Sequence, residues 1–161
     1  MKIRDLAACC FLIVALSCGC SRGYEVGFQF DKTNAVDTWV LKSAPQVAIQ
    51  ALGTNAQACT IVLKNNGVAE YSMLPLQTKL DLTVVRSAPS QWRIVSGTNI
   101  WLFGNEQYGG KKVSKIIVET DYVGAGFEVG RLGAGDDVLI YKPDAESDDE
   151  PLIFRRFKKR K

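Results

Sequence analysis

Residues 20–143 are expected to form an all-β domain, a small barrel or sandwich of short antiparallel strands. Three observations predict this. Apolar residues alternate with polar ones or glycine at period two in several windows. Turn-forming clusters rich in Gly and Asn divide those windows at short spacing. Beyond residue 19 no window sustains a helical period. Short strands punctuated this often point to closure or stacking of a sheet on itself.

Taken along the chain, Tyr24, Val26, Phe28 and Phe30 alternate with Glu25, Gly27 and Gln29, the pattern of a half-buried strand. Val47 and Ile49 alternate with Gln46, Ala48 and Gln50, and are read the same way. Ala58–Leu63 is a strand-like apolar run. Leu80, Leu82 and Val84 alternate with Lys79, Asp81 and Thr83, and Val123, Ala125, Phe127 and Val129 alternate with Gly124, Gly126, Glu128 and Gly130. Shorter β-rich runs cover Ile100–Phe103, Val113–Val118 and Val138–Tyr141. Trp101 and Phe103 share one strand face and Ile100 and Leu102 the other, which predicts a strand buried on both sides. The breaks are Gly53-Thr54-Asn55, Asn65-Asn66-Gly67, Gly97-Thr98-Asn99, Gly109-Gly110 and Gly133–Asp136.

Residues 37–55 echo residues 81–99 at a constant offset. Asp37, Val40, Ser43-Ala44-Pro45 and Gly53-Thr54-Asn55 match Asp81, Val84, Ser87-Ala88-Pro89 and Gly97-Thr98-Asn99. A duplicated unit is expected: strand, Ser-Ala-Pro turn, strand, Gly-Thr-Asn turn. In the second unit, Leu82-Thr83-Val84-Val85-Arg86-Ser87-Ala88-Pro89-Ser90 resembles the opening of bacterial Src-homology-three-type cell-wall-binding domains. Trp92-Arg93-Ile94-Val95, Gly97-Thr98 and Gly126-Phe127-Glu128-Val129 are similar to later parts of such domains, so the resemblance spans residues 80–132. Ala88 stands where those domains carry Gly, and an extra residue precedes Arg86. The resemblance implies a small five-stranded barrel that binds peptidoglycan or its stem peptides.

The first 19 residues have the zones of a secretory signal. Lys2 and Arg4 make a basic start, Leu6–Leu16 carry no charge, and small residues lead into cysteine. That apolar run is too short to span a bilayer, which needs about 20 residues. Gly19-Cys20-Ser21, with Cys18 following Ala15-Leu16-Ser17, resembles the processing site of bacterial lipoproteins. The resemblance implies cleavage and acylation, with a thioether-linked diacylglycerol and a further chain such as palmitate. Two or more chains give stable anchoring where one gives only marginal binding. Cys20 is the favoured anchor because Gly19 is the smaller neighbour, and Cys18 is the alternative.

Of five cysteines, Cys9 and Cys10 lie in the signal, one of Cys18 and Cys20 is the anchor, and Cys59 sits in the apolar run as a small buried hydrophobe. The chain has no histidine. Ser-His-Asp and Cys-His nucleophile systems and the usual histidine zinc sites are therefore excluded. Asp136 and Asp137 are adjacent turn residues whose carboxylates point to opposite faces and cannot act as a pair. No enzymatic activity, metal or cofactor is expected.

The net charge is +3, but its distribution is uneven. Asp144, Glu146, Asp148, Asp149 and Glu150 form an acidic block, and Arg155, Arg156, Lys158, Lys159, Arg160 and Lys161 a basic end. Residues 144–161 are expected to be a partly disordered tail whose six basic residues bind an anionic surface. Among the aromatics, Trp39, Trp92, Trp101, Tyr108 and Tyr122 are candidates for a ligand-facing set. The expected role is that of an exported, periplasm-facing or surface-facing lipoprotein with a non-catalytic binding function in the bacterial cell envelope, with peptidoglycan as one partner. The alternative is a structural accessory subunit that binds another envelope protein. Nucleic acid is not an expected partner, and the inner and outer membranes are both compatible with the signal.

Overall fold

The computed structural model describes residues 23–78, 91–133, 135–142 and 150–158. The order of elements is β1 (Tyr24–Val26), α1 (Lys32–Ala35), β2 (Thr38–Ser43), α2 (Gln46–Leu52), a 3-10 turn (Gly53–Ala58), β3 (Thr60–Leu63), β4 (Val68–Thr78), β5 (Gln91–Tyr108), β6 (Lys111–Val118), β7 (Ala125–Leu132), β8 (Asp137–Tyr141) and β9 (Leu152–Arg156). Strands β2 to β9 close into an eight-stranded antiparallel barrel, and β1 adds to β7 as a ninth strand. Closure runs through the last strand, since β9 pairs with β2 on one edge and β8 on the other.

An eight-stranded barrel is just wide enough for side chains to fill its interior. The alternation seen in the sequence supplies them. On β7, Ala125, Phe127 and Val129 are buried while Gly126 faces solvent. Trp39, Ile61, Leu63, Leu74, Leu76, Trp101, Ile116, Phe127, Leu139, Leu152 and Phe154 are all essentially inaccessible and share one cluster. Phe127 meets Phe154 edge-on at 5.8 Å, so β7 and β9 touch across the interior.

Hairpin turns follow the expected chemistry. Gly109 and Gly110, at φ +54° and +79°, form the two-residue loop between β5 and β6, a conformation that glycine adopts without strain. Residues 65–67 make a three-residue loop that ends on Gly67 (φ +82°), and beyond β7 the N–H of Gly135 (φ +83°) donates to the Leu132 carbonyl. The 18 residues of β5 pair with β4 through their first half and with β6 through their second. Opposite β5, the register of β4 shifts between Tyr71 and Leu74, where Met73 (φ +53°) donates its N–H to Ser96 Oγ at 2.9 Å.

Several expectations need correction. The first strand is only three residues long, because Gly27 at φ +88° turns the chain away. Phe28 and Phe30 leave the sheet and pack edge-on to one another, Phe30 resting 6.3 Å from Phe103. Val47 and Ile49 are on a helix, not a strand. Pro45 precedes it, Ile49 N–H donates to the Pro45 carbonyl, and the buried pair is Ala48 and Leu52, four apart on one face. The strand at Ile100–Phe103 is buried on one side only: Trp101 is 2 % exposed, whereas Ile100 and Leu102 are each about half exposed.

The echo at 37–55 and 81–99 is not a structural repeat at its second triplet. Gly53-Thr54-Asn55 opens a 3-10 turn with Gly53 at φ +60°, while Gly97-Thr98-Asn99 continues straight through β5. Gly97 is needed there because its register partner, Tyr71, lays its ring over it. A Cβ at Gly97 would sit 2.8 Å from the Tyr71 hydroxyl. The strand read at Leu80–Val84 and the triplet Ser87-Ala88-Pro89 lie outside the described residues. Of the segment 80–132, residues 91–132 supply β5, β6 and β7, three adjacent strands of the one eight-stranded barrel, and not a separate five-stranded barrel.

The largest correction concerns residues 144–161. Leu152–Arg156 is a barrel strand, with Leu152 and Phe154 wholly inaccessible. The short apolar run Leu152-Ile153-Phe154 is thus part of the body, and the charges on either side of it hid that.

Candidate functional site

The charged residues at the end of β9 were expected to act as one adhesive run, and the structure separates them. Arg156 is turned inward over β2. Its Nη2 donates to the Asn34 carbonyl at 2.6 Å and lies 3.2 Å from Asp137 Oδ2, while Nη1 is 3.9 Å from Asp37 Oδ2. Its guanidinium lies 5.2 Å from the centroid of the Trp39 ring, and its Nε is buried without a hydrogen-bond partner. A guanidinium this engaged is a structural latch. Arg156 is therefore removed from the set available to an anionic surface.

Asp137 bridges two arginines. Its Oδ1 accepts from Arg131 Nε and Nη2 at 3.2 and 3.1 Å, and its Oδ2 faces Arg156. Arg131 in turn stacks 4.0 Å from the Phe28 ring centroid, which ties the segment after β1 to β7. Neighbouring Asp136 takes Lys158 at 2.7 Å, and the Lys158 ammonium holds that carboxyl below the usual carboxylate range. The two adjacent carboxylates face different cations, in keeping with their opposed directions. Arg155 is exposed, between Val40 of β2 and Val138 of β8. Lys159, Arg160 and Lys161 lie outside the described residues, as do Cys18 and Cys20.

Sequence reasoning missed two cations. Lys111 and Lys112 follow the Gly109-Gly110 turn and are exposed at the tip of the β5–β6 hairpin, with no carboxylate partner among the described residues. The turn glycines were the available signal, since they place whatever follows at a hairpin tip.

The candidate aromatics do not gather into a groove. Trp39 and Trp101 are core residues, their indole N–H groups donating to the Ala35 and Lys64 carbonyls at 2.9 Å each. Trp92 packs half-buried against the core. Tyr122 is exposed, with the Arg93 guanidinium 4.4 Å from its ring centroid. The side chain of Tyr108 lies outside the description. Cys59 is inaccessible, and burial pushes its thiol up to about 12, far from the range of a reactive thiolate.

Among the described residues no cluster of three or more Cys, Asp or Glu could hold a metal ion, and no helix is long and apolar enough to cross a membrane. No family model matches the chain, and neither a curated protein nor a solved structure matches it.

Proposed function

We propose that this protein is an exported, lipid-anchored β-barrel with a non-catalytic binding role in the bacterial cell envelope, its partner another envelope protein. The anchor rests on the basic start, the apolar run and Cys20 or Cys18. One observation carries the choice of partner. Trp39 and Trp101 are spent in the core, while Ile100 and Leu102 stand half exposed on the outer face of β5. A glycan groove draws on clustered exposed aromatics, whereas a protein-binding face draws on exposed aliphatics.

Peptidoglycan binding is the second reading, and the exposed Tyr122 with Arg93 stacked on it favours it. Co-sedimentation of the protein with purified peptidoglycan separates the two. The protein is expected in the supernatant. Sedimentation that Tyr122→Ala abolishes would establish the wall-binding reading in its place.

A further inference from the structure

We infer that the barrel stands on the membrane by one particular end, with Lys111 and Lys112 against anionic lipid headgroups; this rests on the lipid anchoring proposed above. The topology brings three features to that end. Gly23 enters there, because Tyr24 pairs with Leu132 at the close of β7. Lys158 leaves there, held by Asp136 just beyond the β7–β8 turn. The β5–β6 hairpin tip arrives there too. A Cβ on Gly27, the residue after β1, would lie 3.5 Å from Lys111 Cβ and 3.6 Å from the Lys112 carbonyl oxygen.

Cys20 precedes Gly23 by three residues, a reach of about 11 Å at full extension. Acyl chains at Cys20 therefore bring this end, and not the other, to the bilayer surface. The carboxylates Asp37, Asp136 and Asp137 are taken up by Arg156, Lys158 and Arg131. Lys111 and Lys112 have no such partner among the described residues; the exposed carboxylates of Glu25 on β1, Asp31 ahead of α1 and Glu106, which pairs with Lys115 on the same hairpin, partly offset them. At the opposite end, the pairing of Tyr141 with Leu152 fixes where the β8–β9 connection starts and finishes. That connection carries Asp144, Glu146, Asp148, Asp149 and Glu150. An anionic surface attracts the first end through Lys111 and Lys112.

The test is binding of the full-length protein to vesicles of phosphatidylcholine alone or with one-third phosphatidylglycerol, at low salt. Lys112→Glu and Arg93→Glu change the net charge equally, but Arg93 lies toward the opposite end, over Tyr122. Each cation near an anionic surface contributes about a fivefold factor in binding. The excess affinity for anionic vesicles should fall by roughly 25-fold or more in K111E/K112E, fall at least about fivefold in K112E, and stay within about twofold in R93E. The excess in the unmutated protein should vanish at 1 M salt, where the Debye length is about 3 Å. Equal losses in K112E and R93E, or no loss in K111E/K112E, would overturn the orientation. Fatty-acid labelling at Cys20 reads the anchoring separately: labelled protein without end-selective binding defeats this inference alone, and unlabelled protein with it defeats the anchoring alone.

Discussion

The guanidinium of Arg156 lies 5.2 Å from the ring centroid of Trp39, its register partner, and so joins the last strand of the chain to the first strand of the barrel. The same guanidinium reaches Asn34 ahead of β2 and Asp137 at the start of β8. Closure of the barrel is thus fastened at one residue whose contacts come from two distant parts of the sequence, residues 34–39 and Asp137.

Arg156→Ala is expected to destabilise the protein by about 2 kcal/mol, the scale of hydrogen bonds to a charged group plus a stacking contact. Arg156→Lys should recover only part of this, because an ammonium cannot serve the carbonyl and the carboxylate in the same plane. Urea unfolding of the three proteins measures the order; full recovery by lysine would show that only charge matters.

Removing residues 152–161 should abolish cooperative unfolding, since β2 and β8 would both lose their partner edge and the interior would lose Leu152 and Phe154. Phe154→Ala alone should cost about 3–5 kcal/mol, the usual range for a fully buried phenylalanine. Removing residues 159–161 should leave the denaturation midpoint unchanged. Circular dichroism against denaturant distinguishes the three.

Gly130 is held by Ile140 on the neighbouring strand. A Cβ there would clash with Ile140 Cδ1 and lie 3.4 Å from the Glu25 carbonyl oxygen. Gly130→Ala should therefore cost about 1–3 kcal/mol by overpacking. Ile140→Val, which deletes the clashing methyl, should recover most of that in the double variant. Additive costs would mean that the backbone, not Ile140, makes the site tight.

Burial pushes the Cys59 thiol up from 9.0 to about 12. The folded state then keeps a proton that the unfolded state releases, so the contribution is fully present below pH 9 and is lost as pH rises toward 12. The slope approaches 1.4 kcal/mol per pH unit across that window, about one proton's worth. Stability measured at pH 8 and pH 10 should fall less in Cys59→Ala than in the unmutated protein. Equal falls would mean that the thiol is not what titrates.

The all-β class and β7 were legible because alternation at period two reports a face, and Ala125, Phe127 and Val129 are inside; β6 and β8 were legible as β-rich runs, β8 being buried on both faces from Val138 to Tyr141. Other features were not. Gln46–Leu52 is too short for a helical period to outweigh the chance alternation of Val47 and Ile49. Gly97-Thr98-Asn99 reads as a turn by composition, and only the Tyr71 ring across the ladder explains a glycine inside a strand. Leu152–Phe154 is a brief apolar run between charge blocks, and nothing local says that β2 and β8 wait for it. Closure is a long-range property: the partners of Arg156 stand 19, 117, 119 and 122 positions away, at Asp137, Trp39, Asp37 and Asn34. The basic cluster at 155–161 was therefore seen only as charge, while the latch at Arg156, and the exposed pair Lys111 and Lys112 outside that cluster, needed the fold.

The most direct test of the account is metabolic labelling with an alkyne fatty acid in a bacterial host, comparing the unmutated chain with Cys20→Ala, Cys18→Ala and the double variant. Label and membrane retention are expected in the unmutated protein and in Cys18→Ala, and loss of both in Cys20→Ala. Label confined to proteins that keep Cys18 would move the anchor two residues upstream. An unlabelled wild type, or label that persists when both cysteines are gone, would contradict the lipid-anchored reading.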